Sequence, residues 1–268
     1  MKLINLSEYA GEDRVISSFE MKEHVEKNQK ALFKVISKIP SLDHYCGGFM
    51  PGELCVISGP TKNGKSLFSQ TLTKNFFDQN VLSLWFSFEL PPRQFLSCFG
   101  DELPLLYVPK ILKTADLDWL EARIIESKVK YHTRIVQIDH LHYVVDIART
   151  KSPSLEIGSI VRRLKLLAVR ENLIIFLLCH TKKMTGDGSD FGEIRDSSFV
   201  EQESDAAFLI KRFPNIGDNV ACLQINQHRR TGVMKKKVWL EKINGYLVET
   251  TSRDVPGERK GRRDYYDD

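Results

Sequence analysis

Residues Gly59-Pro60-Thr61-Lys62-Asn63-Gly64-Lys65-Ser66 have the spacing of a loop that wraps a phosphate chain. Four residues separate the two glycines, and a lysine and a hydroxyl follow directly. The motif requires a strand before it and a helix after it. The apolar run Leu54–Ser58 and the helical pattern Lys65–Phe77 supply both. The glycines let successive backbone N–H groups curl around the β-phosphate, at the positive end of the following helix. Lys65 then reaches the β- and γ-phosphate oxygens, and Ser66 offers its hydroxyl to a magnesium ion. The loop therefore predicts a bound nucleoside triphosphate with Mg2+.

Magnesium needs an acidic anchor besides the serine, on a neighbouring strand. The run Arg134-Ile-Val-Gln-Ile-Asp139 is an apolar strand ending in a carboxylate, at the edge where ligands gather in α/β sheets. Hydrolysis also needs a group that orients and deprotonates water. The run Val81–Phe88 ends in Glu89, which faces the γ-phosphate if that strand lies beside the phosphate-loop strand. The competing reading of Glu89 is an acid at a helix N-terminus, ahead of Pro91 and Pro92.

The elements that must hold these residues alternate short β-branched or aromatic runs with longer helical stretches, the pattern of strand–helix–strand units. Strands are expected at Leu54–Ser58, Val81–Phe88, Arg134–Asp139, Leu173–Cys179, Ala206–Lys211 and Val220–Asn226. A hairpin over Lys236–Leu240 and Tyr246–Glu249 follows. Several runs are apolar at nearly every position, as strands covered on both faces are. Helices are expected at Lys65–Phe77, Leu117–Lys130 and Leu155–Glu171. In the last, Ile157, Ile160, Val161, Leu164, Leu167 and Ala168 recur at helical spacing, and Arg162, Arg163, Lys165 and Arg170 read as a solvated face. The fold class is α/β: a P-loop nucleoside-triphosphatase domain with a mostly parallel central sheet flanked by helices and a C-terminal β-hairpin. Residues 1–35 form an N-terminal arm or linker helix, or a solvated leader. Residues 36–250 form the main domain. Residues 251–268 cannot bury much apolar surface and read as a disordered tail.

Composition excludes other classes. The chain has 268 residues, 42% hydrophobic and 28% charged, which suits one globular domain. No run approaches the length of a membrane span, and the start lacks a signal peptide. The scattered Cys46, Cys55, Cys98, Cys179 and Cys222 suit reduced thiols and a cytoplasmic setting. A net charge of +4 permits a polyanionic partner without demonstrating one.

From about Ile39 to Glu249 the chain resembles the RecA-like ATPase domain of DnaB-type replicative helicases. The resemblance lies in the order of several segments. Ser41-Leu-Asp-His-Tyr-Cys-Gly-Gly-Phe-Met-Pro-Gly-Glu-Leu54 is similar to the family's lead-in to the first strand. Phe86-Ser-Phe-Glu89-Leu resembles the strand whose terminal glutamate is the catalytic base, and Asp139-His-Leu-His the magnesium-side strand end. Cys179-His180-Thr-Lys-Lys183 resembles the segment that senses the γ-phosphate. Arg195-Asp-Ser-Ser-Phe-Val-Glu-Gln-Glu-Ser-Asp205-Ala resembles the DNA-contacting loop and the helix after it. Gln227-His-Arg229-Arg-Thr-Gly232 resembles the arginine-finger turn. The chain departs from the family at His180, where glutamine is usual, at Gln227, where a basic residue is usual, and at Ser198, where glycine is usual.

The resemblance implies ATP and Mg2+ as cofactors, Glu89, His180 and Arg229 as catalytic groups, and Ser66 with Asp139 as metal ligands. It implies a homo-hexameric ring with nucleotide sites at subunit interfaces, because an arginine finger acts on a neighbour. It also implies single-stranded DNA gripped along its backbone by Arg149, Lys151, Lys182, Lys183, Arg195, Asp196 and Ser198. The expected activity is an ATP-dependent DNA helicase or translocase of replication. The alternative is a recombination or loading factor of the same fold that does not unwind. With no collar domain ahead of residue 36, the chain reads as a minimal form, of a kind plausible in a bacterial cell, phage or plasmid. The tail Asp264-Tyr-Tyr-Asp-Asp268 offers a dock for a basic replication partner.

Overall fold

The computed structural model describes residues 10–12, 14–27, 33–100, 102–145, 153–180 and 198–250. The chain divides into two compact units, residues 1–33 and 34–268. In the first, α1 (Ser18–Lys27) is a short amphipathic helix. Ser17 Oγ accepts the backbone N–H of Glu20 at its start, the usual way a serine satisfies an otherwise unpaired helix donor.

In the second unit, nine strands among the described residues form one sheet. They are β1 (Leu54–Gly59), β2 (Ser83–Ser87), β3 (Leu106–Tyr107), β4 (Ile135–Asp139), β5 (Ile174–His180), β6 (Ala206–Arg212), β7 (Val220–His228), β8 (Val233–Ile243) and β9 (Tyr246–Glu249). Their order is β3-β2-β4-β5-β1-β6-β7-β8-β9. The strands from β3 to β6 run parallel, and β7, β8 and β9 continue antiparallel from β6. This is the expected mostly parallel sheet with a C-terminal hairpin, β8–β9.

The order corrects one expectation. β2 does not lie beside β1, whose neighbours are β5 and β6: β5 intervenes between β4 and β1, and both β4 and β5 between β2 and β1. Glu89 and Asp139 nevertheless come to the same edge, because Ser87 pairs with Asp139 and Gly59 with His180. The parallel register brings the strand ends level, so adjacency to β1 is not needed.

Helices α2 (Pro40–Cys46), α3 (Lys65–Phe77), α4 (Pro92–Ser97), α5 (Leu117–Tyr131), α6 (Pro153–Glu171) and α7 (Ser198–Glu203) surround the sheet. Side chains alternate across a strand, and both faces are covered. On one face Leu54, Val56, Val136, Ile138, Ile175 and Leu177 pack on Leu120 and Ile124 of α5 and on Val161, Leu164 and Leu167 of α6. On the other, Phe176 and Phe208 meet Phe68 and Phe76 of α3 through Phe49, mostly edge to face. Burying each such ring contributes about 2–3 kcal/mol. The indole of Trp85 is fully buried, and its Nε1 donates to Thr73 Oγ1 of α3 at 2.9 Å, which fixes α3 along the sheet.

The basic side of α6 is not simply solvated. Lys165 donates to Asp205 Oδ2 and to the carbonyl of Gly52, each at 2.7 Å. Arg163 Nε donates to Glu121 at 2.6 Å and Arg162 to Glu203 at 2.6 Å. Acids on α5, α7 and the start of β6 face this helix, so its charges are pinned. The tail, and the loops carrying Arg149, Lys151, Lys182, Lys183, Arg195 and Asp196, lie outside the described residues. Ser198 is the first residue of α7.

Candidate nucleotide site

β1 ends at Gly59, whose φ of +154° and surroundings admit only glycine. A Cβ there would sit 2.4 Å from the carbonyl oxygen of Ile210 on β6. The chain then turns through residues 60–63 to Gly64, which holds the left-handed conformation ahead of α3. Asn63 steadies this turn: its Oδ1 accepts the backbone N–H of Arg212 at 2.9 Å. The first N–H groups of α3 have no intrahelical partner, so the turn presents donors at a positive helix end.

Lys65 is 4% exposed and folds back over this loop. Its Nζ donates to the carbonyls of Gly59 at 2.9 Å and Pro60 at 3.0 Å. Burial pulls the ammonium below its ordinary pKa, while the nearby charges of Asp139 and Glu89 oppose that shift. The lysine thus feels the charge of both carboxylates while its hydrogen bonds go to the loop.

Ser66 Oγ donates to Asp139 Oδ2 at 2.8 Å. Asp139 is 1% exposed, and its Oδ1 has no hydrogen-bond partner although it touches His140 Nδ1. A hydroxyl and a buried carboxylate form an all-oxygen donor set of the kind magnesium takes. The residues therefore fit a magnesium ion, with Ser66 and Asp139 as its protein ligands.

Glu89 follows β2 at the rim of the site. Its Oε1 receives His180 Nε2 at 3.0 Å and lies 3.1 Å from His140 Nδ1. The His140 and His180 rings stack with centroids 4.1 Å apart. His180 ends β5 in register with Gly59. Burial lowers the His180 pKa, and the Glu89 hydrogen bond only partly reverses this. The imidazole is therefore mostly neutral near neutral pH, able to donate through one nitrogen and accept through the other. An exposed carboxylate beside a phosphate loop and a carboxylate–hydroxyl pair can polarise water.

Sequence reasoning overlooked two features. His140 was passed over although the run Asp139-His140-Leu141-His142 was visible, because only the tertiary fold stacks it on His180. A cleft of about 180 Å3 beside the loop, lined by Lys62, Gly64, Arg212, Asn219 and Lys242 among others, was also unseen. It draws β6, β8 and the turn before β7 together, which no local pattern signals.

Arg229 is elsewhere. Its backbone N–H donates to the carbonyl of Asp205 at 2.7 Å, and its guanidinium donates to the carbonyl of Gln202 at 2.8 Å. Asp205 in turn accepts from Leu54 N–H at the start of β1. At about 3.3 Å per strand residue, the five steps from Leu54 to Gly59 put Arg229 roughly 16 Å from its own phosphate loop. Its side chain is 58% exposed. Arg230 turns the other way, donating to Glu53 Oε1 at 2.8 Å and to the carbonyls of Cys46 at 3.0 Å and Gly48 at 2.7 Å.

A protein-family model described as an AAA domain matches residues 25–186. Among solved structures, the chain is similar to a DnaB-like replicative helicase whose structure reports its interactions with primase. That match has a TM-score of 0.69 and 19% identity, over 86% of this chain and 66% of that one. It is also similar to the ATPase domain of another protein, with a TM-score of 0.70 and 19% identity, over 87% of this chain and 97% of that one. The chain thus spans 66% of the length of the first. No curated protein sequence matches it. With more than half of its residues under the family model, on the sheet and loop just described, this chain belongs to the AAA domain family and has the RecA-like ATPase fold of DnaB-type helicases.

Proposed function

We propose that the chain hydrolyses ATP to move along single-stranded DNA, as a DnaB-type helicase or translocase in replication. The observation that carries this reading is the convergence of Lys65, the Ser66–Asp139 pair and Glu89 at one sheet edge. Lys65 exchanges its two loop carbonyls for phosphate oxygens when nucleotide enters. Ser66 and Asp139 hold Mg2+, which neutralises phosphate charge when bound. Glu89 orients and deprotonates the attacking water, and His180, neutral and within reach, reports on the γ-phosphate. The cleft beside Lys62 and Arg212 would take the nucleoside.

Arg229 completes the site of a neighbouring subunit. Its position at the far edge of the sheet, half exposed, supports action in trans and hence a ring of copies, a homo-hexamer in this reading. DNA is held by the basic side chains of Arg149, Lys151, Lys182, Lys183 and Arg195, through phosphate contacts that weaken with salt, in segments that also bring Asp196 and Ser198 to the strand. The test is strand displacement on a forked duplex with ATP and Mg2+. Wild type displaces the strand and Lys65→Ala does not. DNA-stimulated hydrolysis without displacement would instead indicate a loading or recombination factor, and equal displacement by Lys65→Ala would end the motor reading.

A further inference from the structure

The turn between β7 and β8 is wound like one turn of helix, with His228 in the capping place. The backbone N–H of Gly232 donates to the His228 carbonyl at 2.9 Å, and Gly232 closes the turn in the left-handed conformation. The backbone N–H of Thr231 donates to His228 Nδ1 at 3.3 Å. A serine or aspartate cap accepts the same bond from the third residue of a helix. Thr231 Oγ1 lies 2.9 Å from that nitrogen as well. A backbone amide only donates, so Nδ1 is the bare nitrogen and the proton sits on Nε2. Nε2 has no hydrogen-bond partner among the described residues, and His228 is 1% exposed. A buried donor left idle costs stability. Core filling alone does not explain a histidine here, because an apolar side chain would fill the space without that cost.

Arg229 follows directly, and its backbone is held from both sides. Its N–H donates to the carbonyl of Asp205 at 2.7 Å, and the next residue, Arg230, is tied to Glu53, Cys46 and Gly48. The guanidinium of Arg229 is left free to point outward, 58% of its side chain being exposed. We propose that His228 is a positioning residue for Arg229, its Nδ1 holding the turn that aims the guanidinium at the phosphates of a neighbouring subunit. The action of Arg229 on a neighbour is the reading proposed above, and this inference rests on it. Misplacing a reacting group by about 1 Å costs on the order of 10²-fold in rate, so the cap matters although His228 touches no substrate. Burial holds the His228 pKa below its ordinary value, against the charge of Glu53. Nδ1 therefore stays free to accept near neutral pH.

The test compares two replacements in the full chain. His228→Asn keeps an acceptor in the place of Nδ1, whereas His228→Gln carries its amide further out, in the place of Nε2. With single-stranded DNA, His228→Asn should hydrolyse ATP much as wild type does. His228→Gln should lower kcat by about 10–100-fold and leave KM for ATP unchanged. Amide hydrogen exchange at Thr231 reads the cap without nucleotide: it should quicken in His228→Gln and stay slow in His228→Asn. Mixing His228→Gln with Glu89→Gln subunits should restore hydrolysis, because a well-aimed Arg229 then serves an intact Glu89. A variant damaged throughout its fold would not be rescued. Equal losses in the two variants, a loss carried by KM, unchanged exchange at Thr231 in His228→Gln, or a silent mixture would overturn the proposal. If Arg229→Ala hydrolyses like wild type, the shared-site reading fails and the aiming role falls with it, while exchange at Thr231 still decides whether His228 holds the turn.

Discussion

At the scale of single residues, the site separates binding from chemistry. In the proposed reading Lys65 and the loop amides would meet the phosphates, while Ser66 and Asp139 form the hard-oxygen pair and Glu89 stands apart on the rim with its own histidine partners. Glu89→Gln keeps size and hydrogen bonding but removes the base. We expect it to lower kcat by about 10²–10⁴-fold with little change in ATP affinity, measured by steady-state hydrolysis beside equilibrium nucleotide binding. Undiminished turnover would assign the base elsewhere. Gly59–Ser66, Asp139 and Glu89 were all legible in the sequence, because residue type and position at a strand end suffice to mark them. His140 and Arg212 were not. Their place depends on strand register and on the approach of β6 to the loop, which are tertiary facts.

At the scale of elements, adjacent arginines in one turn do opposite things. Arg230 ties the β7–β8 turn to the end of α2 and to Glu53, which is mostly buried. The Arg229 guanidinium holds the Gln202 carbonyl, stands a long 4.0 Å from Asp205 Oδ1 and is largely exposed. Arg230→Ala should therefore destabilise the fold by about 2 kcal/mol, through loss of charged hydrogen bonds. Arg229→Ala should change stability by less than about 0.5 kcal/mol. Chemical denaturation of both variants checks this, and equal losses would show that both arginines are structural. Sequence patterns located the buried strands well, since β1, β4 and β5 are apolar on both faces. They missed α2, a helix of 7 residues started by Pro40, too short to show a period. They also shortened β8 to Lys236–Leu240, leaving out residues 233–235 and 241–243, because the polar Lys235, Glu241 and Lys242 at its two ends look like turn residues. The paired acids facing α6 lie far away in sequence, so its basic side looked merely solvated.

At the scale of the molecule, the sheet order decides what one chain can do alone. The phosphate loop, His180, Asp139 and Glu89 share the C-terminal edge of the parallel strands. Arg229 sits at the opposite edge, beyond the reach of its own side chain to that site. If it acts catalytically, it acts on another copy, and each active site joins two chains. No helix among the described residues is long and apolar enough to cross a membrane. The most direct measurement mixes two inactive variants, Arg229→Ala and Glu89→Gln, and follows ATP hydrolysis with single-stranded DNA. A shared site predicts that each variant alone is nearly silent and that the mixture regains activity, at interfaces pairing an intact Glu89 with an intact Arg229. Wild-type hydrolysis by Arg229→Ala alone, or a mixture as silent as its parts, would contradict it.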